Sequence, residues 1–286
     1  MRYGILLLLL SFGIIGCSDG PEPLQLDVID TSYQQRGEYL VKSVAACGFC
    51  HGQAARPDSP LVGGRTQTDF YGQAVAPNLT SAKTGLAEWD MREVVRAVRG
   101  SHRKDEEFSV WFHRGFEWMS DIDVLSVAAY IKSLPAQENQ VERRSIGFIE
   151  KNTTGLFRES ARDVPGYVPP VEKDGVQYGK YLVDHVARCV RCHNSEGGLM
   201  TTEKYLGGGQ ELKFNGKVKV APEITNSPSY GIGSWSERDV AYYLRTGITP
   251  DKREVDSSFC PIAFYQLATD EDLNAIASYL KSLPVS

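Results

Sequence analysis

The sequence predicts a mainly α-helical protein built from two copies of one domain. Three observations carry that expectation: an internal repeat, helically spaced apolar residues between caps and stops, and long interhelical segments that need something besides side chains to fill a core. In the repeat, Gly37-Glu38-Tyr39-Leu40-Val41 matches Gly179-Lys180-Tyr181-Leu182-Val183. Ala76-Pro77-Asn78-Leu79-Thr80 matches Ala221-Pro222-Glu223-Ile224-Thr225, and Trp89 matches Trp235. Ala129-Tyr130-Ile131-Lys132-Ser133-Leu134-Pro135 matches Ser278-Tyr279-Leu280-Lys281-Ser282-Leu283-Pro284 at a slightly wider offset, so the second copy carries a few extra loop residues. Each copy is too long for a solenoid repeat and is read as a whole domain.

Taken in order, the chain opens with Arg2 and an apolar run from Ile5 to Ile15. That run is well short of the ~20 residues that span a bilayer, so it reads as a signal sequence. It ends Ile14-Ile15-Gly16-Cys17, which resembles a bacterial lipobox. The resemblance implies cleavage after residue 16, lipidation of Cys17 and a tether over 17–32. The first domain then runs over 33–135, a charged, proline-containing linker over 136–173, and the second domain over 174–286.

Within the first copy, Leu40, Val41, Val44 and Ala45 share one face of a helix expected over Gly37 to Ala46. Val94, Val95 and Val98 mark a second helix from Met91 to Val98, and Val124, Leu125, Val127, Ala128 and Ile131 a third from Asp121 to Leu134. Ser120 and Thr269 are natural N-caps, and Pro135 and Pro284 stop the last helices. The long glycine- and proline-containing stretches between helices suit a domain whose core holds a cofactor.

Six cysteines supply the chemistry. Cys47-Gly48-Phe49-Cys50-His51 and Cys189-Val190-Arg191-Cys192-His193 fall at matching places in the two copies. C-x-x-C-H is the attachment signature of c-type haem. The spacer sets both thiols on one helical turn, where each adds to a vinyl group, and the next residue, His51 or His193, turns its ring to the iron as proximal ligand. A thioredoxin-type redox pair or a Cys₄ zinc site would not need a histidine after both motifs. The cofactor expectation is therefore two haem c groups.

On these residues each copy resembles a class I cytochrome c domain, and the pair resembles a dihaem cytochrome c. The resemblance covers about 33–135 and 174–284. It rests also on Gly37/Tyr39 with Tyr130 and Gly179/Tyr181 with Tyr279, where a first helix crosses a last one. It implies two tandem folds, each wrapped around a covalent haem. It further implies that Pro77 and Pro222 give their carbonyls to the proximal imidazoles, fixing the tautomer. The run Ala-Pro-Asn, Thr-Gly, Trp and Ser-Asp-x-Asp is similar to cytochrome subunits of membrane-bound bacterial dehydrogenases.

The sequence departs from that family at the sixth iron ligand. Where a methionine followed by proline is usual, the second copy has Cys260-Pro261. Cys260 then stands in for the methionine, and a thiolate ligand lowers the potential. The other readings are an inert buried cysteine, with the iron five-coordinate or bound by Met200. In the first copy the equivalent residue is Trp111, which cannot ligate. Met119 is the simplest substitute, His113 a rival that would give two imidazole ligands, and His102 a third candidate.

Composition bounds the rest. The chain has 286 residues, a formal net charge of −5 and no basic stripe, which argues against a nucleic-acid partner. The reading that follows is an electron-transfer protein or cytochrome subunit, not itself an enzyme. It would be anchored at the periplasmic face of a bacterial membrane and would exchange electrons with a dehydrogenase or a small cytochrome. The alternative is a dihaem sulfur-oxidation enzyme, similar to thiosulfate dehydrogenases, with Cys260 at its active site. A haem-based sensor is a third option, without a recognisable output domain.

Overall fold

A computed structural model describes residues 29–69, 72–100, 102–103, 106–109, 111–142, 144, 147, 166–195, 203–214 and 216–285. The expected signal segment, Cys17, most of the tether, much of the linker and Met200 lie outside the described residues, as do the side chains of His102 and Trp111.

Helix α1 spans Thr31–Lys42 and starts where the Asp30 carboxylate accepts the Ser32 N–H at 2.8 Å. It ends earlier than the apolar spacing suggests. After Lys42 the chain turns through Ala46, whose φ of 48° is left-handed, and this turn delivers Cys47 into the short helix α2, Gly48–His51. A hairpin follows, β1 (Thr66–Asp69) and β2 (Gly72–Val75). Helix α3 is Met91–Gly100. Two short strands, β3 (His102–Arg103) and β4 (Glu106–Ser109), and two 3₁₀ turns at Trp111–His113 and Phe116–Trp118 lead to α4, Asp121–Ser133.

The second half repeats this plan. Helix α5 (Gly175–Tyr181) continues into a π-helical turn at Leu182–Val186. Arg188, with φ 53°, occupies the left-handed position before Cys189, as Ala46 does before Cys47. Then come α6 (Val190–His193), β5 (Glu211–Phe214), β6 (Lys217–Val220), α7 (Glu237–Thr246), α8 (Ile262–Tyr265) and α9 (Asp270–Ser282).

In each half the first and last helices cross at a glycine. A Cβ on Gly37 would lie 1.9 Å from the Ser126 carbonyl oxygen, and one on Gly179 would lie 2.0 Å from that of Ala275. Only glycine allows backbones this close. Leu40, Val41 and Val44 from the first crossing and Leu182, Val183 and Ile276 from the second are almost wholly buried. Each such side chain contributes about 1.5–3 kcal/mol relative to exposure.

The hairpins were not evident in the sequence, and they join the halves. Strands β2, β1, β5 and β6 form one sheet, with β1 pairing antiparallel to β5 at Gln67 and Phe214. A second junction is reciprocal. Tyr39 donates to Asp272 at 2.5 Å, and Tyr181 donates to Asp123 at 2.7 Å, each across the boundary between halves. Each carboxylate also has a donor from its own half, Arg36 to Asp123 at 2.5 Å and Tyr178 to Asp272 at 2.7 Å.

Candidate functional site

The first site is built on α2. Cys47 caps this helix and Cys50 lies within it, so both sulfurs share one turn, with His51 directly after. Both cysteines are free thiols. The His51 Nδ1–H donates to the Pro77 carbonyl at 2.9 Å. That bond sets the tautomer and leaves Nε2 with its lone pair. Burial lowers the pKa of His51, although the Pro77 contact opposes the shift. Burial thus favours the neutral imidazole, the form that binds a metal.

Cys47, Cys50 and His51 border one cavity. Its walls are mostly apolar and include Leu79, Trp89, Val98, Phe116 and Ile131. Met119 and His113 also line it. Met119 is wholly buried, and its carbonyl accepts from Arg99 at 2.5 Å. His113 donates through Nδ1 to the Ala97 carbonyl at 2.8 Å, and its ring centroid lies 6.2 Å from that of His51. Burial, with Arg188 nearby, lowers its pKa to about 3. A flat apolar group held at one edge by two sulfurs, with a neutral imidazole on its face, fits this chemistry. The thiols here stand for the thioether sulfurs of an attached haem.

The second site repeats the proximal side. Cys189 caps α6, and the His193 Nδ1–H donates to the Pro222 carbonyl at 2.8 Å. Burial lowers the pKa of His193 as well. Cys260 packs against the core beside this site. Burial pushes its thiol pKa well up, and the neighbouring Cys192 and Cys189 add to the shift. The same cysteines act on Tyr265, in α8 just beyond Cys260. Met200, the other candidate here, lies outside the described residues.

No family model matches the chain. The fructose dehydrogenase cytochrome subunit of Gluconobacter japonicus is 30% identical over 263 residues, 87% of this chain and 52% of that protein. The cytochrome c subunit of a quinone alcohol dehydrogenase from Gluconobacter oxydans is 28% identical over 97% of this chain and 58% of its own length. A diheme cytochrome c-type protein of Cereibacter sphaeroides is 28% identical over 89% of this chain and 87% of its own. The relatives are thus cytochromes. The chain spans little more than half of either dehydrogenase subunit.

Sequence reasoning missed the residues between the two sites. Gln67, on β1, places Nε2 2.6 Å from the Cys50 sulfur and accepts from Arg191 at 2.8 Å. Arg191 in turn reaches the Cys192 sulfur at 3.6 Å. These polar side chains therefore connect sulfurs of both motifs. Arg191 also donates to the Phe112 carbonyl at 3.2 Å, and Arg188 donates there at 2.7 Å. The Arg188 guanidinium lies 3.7 Å over the Phe116 ring. Arg188 and Arg191 flank a cysteine of the second motif yet hold the wall of the first cavity. Nothing in their local sequence indicates that, because the contacts form only when the halves pack.

Proposed function

We propose that this chain is a dihaem c-type cytochrome that passes electrons between a dehydrogenase-type donor and a further acceptor. The observation that carries the reading is the doubled proximal arrangement. In each half two cysteines on one helical turn precede a histidine whose Nδ1–H is tied to a proline carbonyl. Bound haem supplies a one-electron ferric/ferrous couple. The chain's residues do the rest. The cysteines fix the cofactor covalently, the proline carbonyls orient the histidines, and the apolar walls exclude water. The Cys50–Gln67–Arg191–Cys192 contacts support close approach of the two attachment edges, which favours transfer from one site to the other. The named dehydrogenase subunits among the relatives support a dehydrogenase as donor.

The proposal includes export and anchoring through lipid on Cys17 at the periplasmic face of a membrane. Among the described residues no helix is long and apolar enough to cross a bilayer. Cys260 at the second site supports ligation by its sulfur there. The same residue favours a second reading, oxidation of an inorganic sulfur substrate at that haem.

The test is direct. Protein matured in a host that attaches haem c should retain two haems per chain after acid–acetone extraction. Cys189→Ala together with Cys192→Ala should leave one. Loss of all haem on extraction would reject the proposal. Stopped-flow mixing with thiosulfate separates the two functional readings: turnover selects the sulfur enzyme, while inertness combined with rapid electron exchange with a small cytochrome selects the carrier.

A further inference from the structure

We propose that His113 is the sixth ligand of the first haem iron, so that this site is held by two imidazoles, His51 and His113. The inference rests on the dihaem reading above and deepens it.

An imidazole nitrogen bonds a transition metal at about 2.0–2.1 Å, and that nitrogen lies about 1.2 Å from its ring centre, so two imidazoles on opposite sides of one metal have centroids about 6.4–6.6 Å apart. The His51 and His113 centroids are 6.2 Å apart. Their planes meet at 58°. Rotation about metal–nitrogen bonds leaves the spacing unchanged, so this angle does not affect the match in spacing.

Hydrogen bonding points the same way. Each ring has Nδ1 tied to a backbone carbonyl, His51 to Pro77 and His113 to Ala97. Each is thus the tautomer with a lone pair on Nε2, the atom a metal needs. Both residues border the same cavity.

The placement of His113 is fixed from two sides. Its ring meets Phe116 edge-on with centroids 5.7 Å apart. Its chain neighbours are held by the other half, with Arg188 and Arg191 both donating to the Phe112 carbonyl. Arg188 also reaches the Arg114 carbonyl at 3.4 Å. A ligand held this firmly costs little to order when the metal binds. Met119 lines the same cavity, but its backbone closes the Phe116–Trp118 turn and takes the buried Arg99. His113, by contrast, brings an imidazole within a few tenths of an ångström of the centroid spacing that two ligands of one metal require. In the repeat register His113 corresponds to Ile262, so the second site cannot copy this ligand.

The experiment uses the full holoprotein and begins by counting covalent haems. Too few haems would sink the dihaem reading itself; two haems isolate the ligand question. Near-infrared magnetic circular dichroism of the ferric wild type should show a bis-imidazole band. His113→Ala should turn one of the two haems from low-spin to high-spin, and added imidazole should restore the low-spin signal. Met119→Leu should leave every band in place. The proposal is overturned if the wild type lacks a bis-imidazole band. It is also overturned if a thioether band disappears in Met119→Leu, or if His113→Ala leaves both haems low-spin. The wild-type spectrum decides even if a variant fails to mature.

Discussion

The two halves keep the same proximal side and differ on the opposite wall. Around His51 and His193 the match extends to single hydrogen bonds. Each imidazole meets a proline carbonyl, and each histidine carbonyl accepts from a glycine, Gly63 at 2.7 Å and Gly208 at 2.6 Å. Across the cavity the first half presents His113 and Met119, while Ile262 and Ala268 stand at the corresponding places of the second half, with Cys260 nearby. Attachment geometry is demanding and has been retained. The opposite wall has diverged. On the proposed dihaem reading, such unlike walls would give the two sites different potentials.

The sharpest way to break this comparison uses one ion pair present in both halves. Arg99 meets Asp121 at 2.5 Å, and Arg245 meets Asp270 at 2.6 Å. The first pair is buried, with side-chain exposures of 2% and 9%, whereas the Asp270 side chain is 90% exposed. The cover comes from the linker, where the Val168 carbonyl accepts from the Asp121 N–H and the Val168 N–H donates to the Asp121 carboxylate. Arg99→Ala removes the cationic partner of a buried carboxylate and should cost about 3–5 kcal/mol. Arg245→Ala should cost less than about 1 kcal/mol. Chemical denaturation of both variants measures the contrast, and equal losses would contradict it.

The helix crossings should respond alike. Gly37→Ala and Gly179→Ala each push a methyl group into a facing carbonyl, and each should destabilise by roughly 1–3 kcal/mol. A large difference between them in thermal melts would show that the crossings are not equivalent. Smaller still are the tyrosines that bridge the halves. Tyr39→Phe and Tyr181→Phe each remove a hydrogen bond to a carboxylate, an interaction of about 1.5 kcal/mol. Hydrogen exchange should show the boundary between halves opening more readily in both variants. At the bottom of the scale are the caps of α3 and α7. Asp90 and Glu93 exchange hydrogen bonds with each other's backbone N–H, and Ser236 and Asp239 form the same box. Asp90→Ala and Ser236→Ala should each cost about 1 kcal/mol, and their helical signals should fall by similar amounts.

These comparisons also show what the sequence makes legible. The last helix of each half could be read because its signals are local. Ser120 and Thr269 accept from the N–H three residues on, and a proline follows each helix. The cysteines and histidine of each motif are neighbours in the chain, so they are neighbours in space. Helix α1 was harder. Apolar spacing continues through Ser43–Ala46, but the left-handed turn at Ala46 overrides it. The first hairpin was hidden because Thr66–Asp69 is polar throughout, and the second because Glu211–Phe214 and Lys217–Val220, though alternating, are only four residues each. The distal wall was least legible of all. Met119 and His113 both had the right chemistry, and only folding shows that both border the cavity of His51. Arg188, Gln67 and Arg191 act across the boundary between halves, where no spacing rule applies.

The exchange of tyrosines bears on how such a chain is made. When the first half emerges, Asp123 has Arg36 beside it but lacks Tyr181, which is synthesised later. The β1 edge at Gln67 likewise waits for β5. The early half therefore stays unfinished at one face until its sibling arrives. Each half lends a hydroxyl to a carboxylate of the other, so neither half alone would satisfy its own buried acid in full.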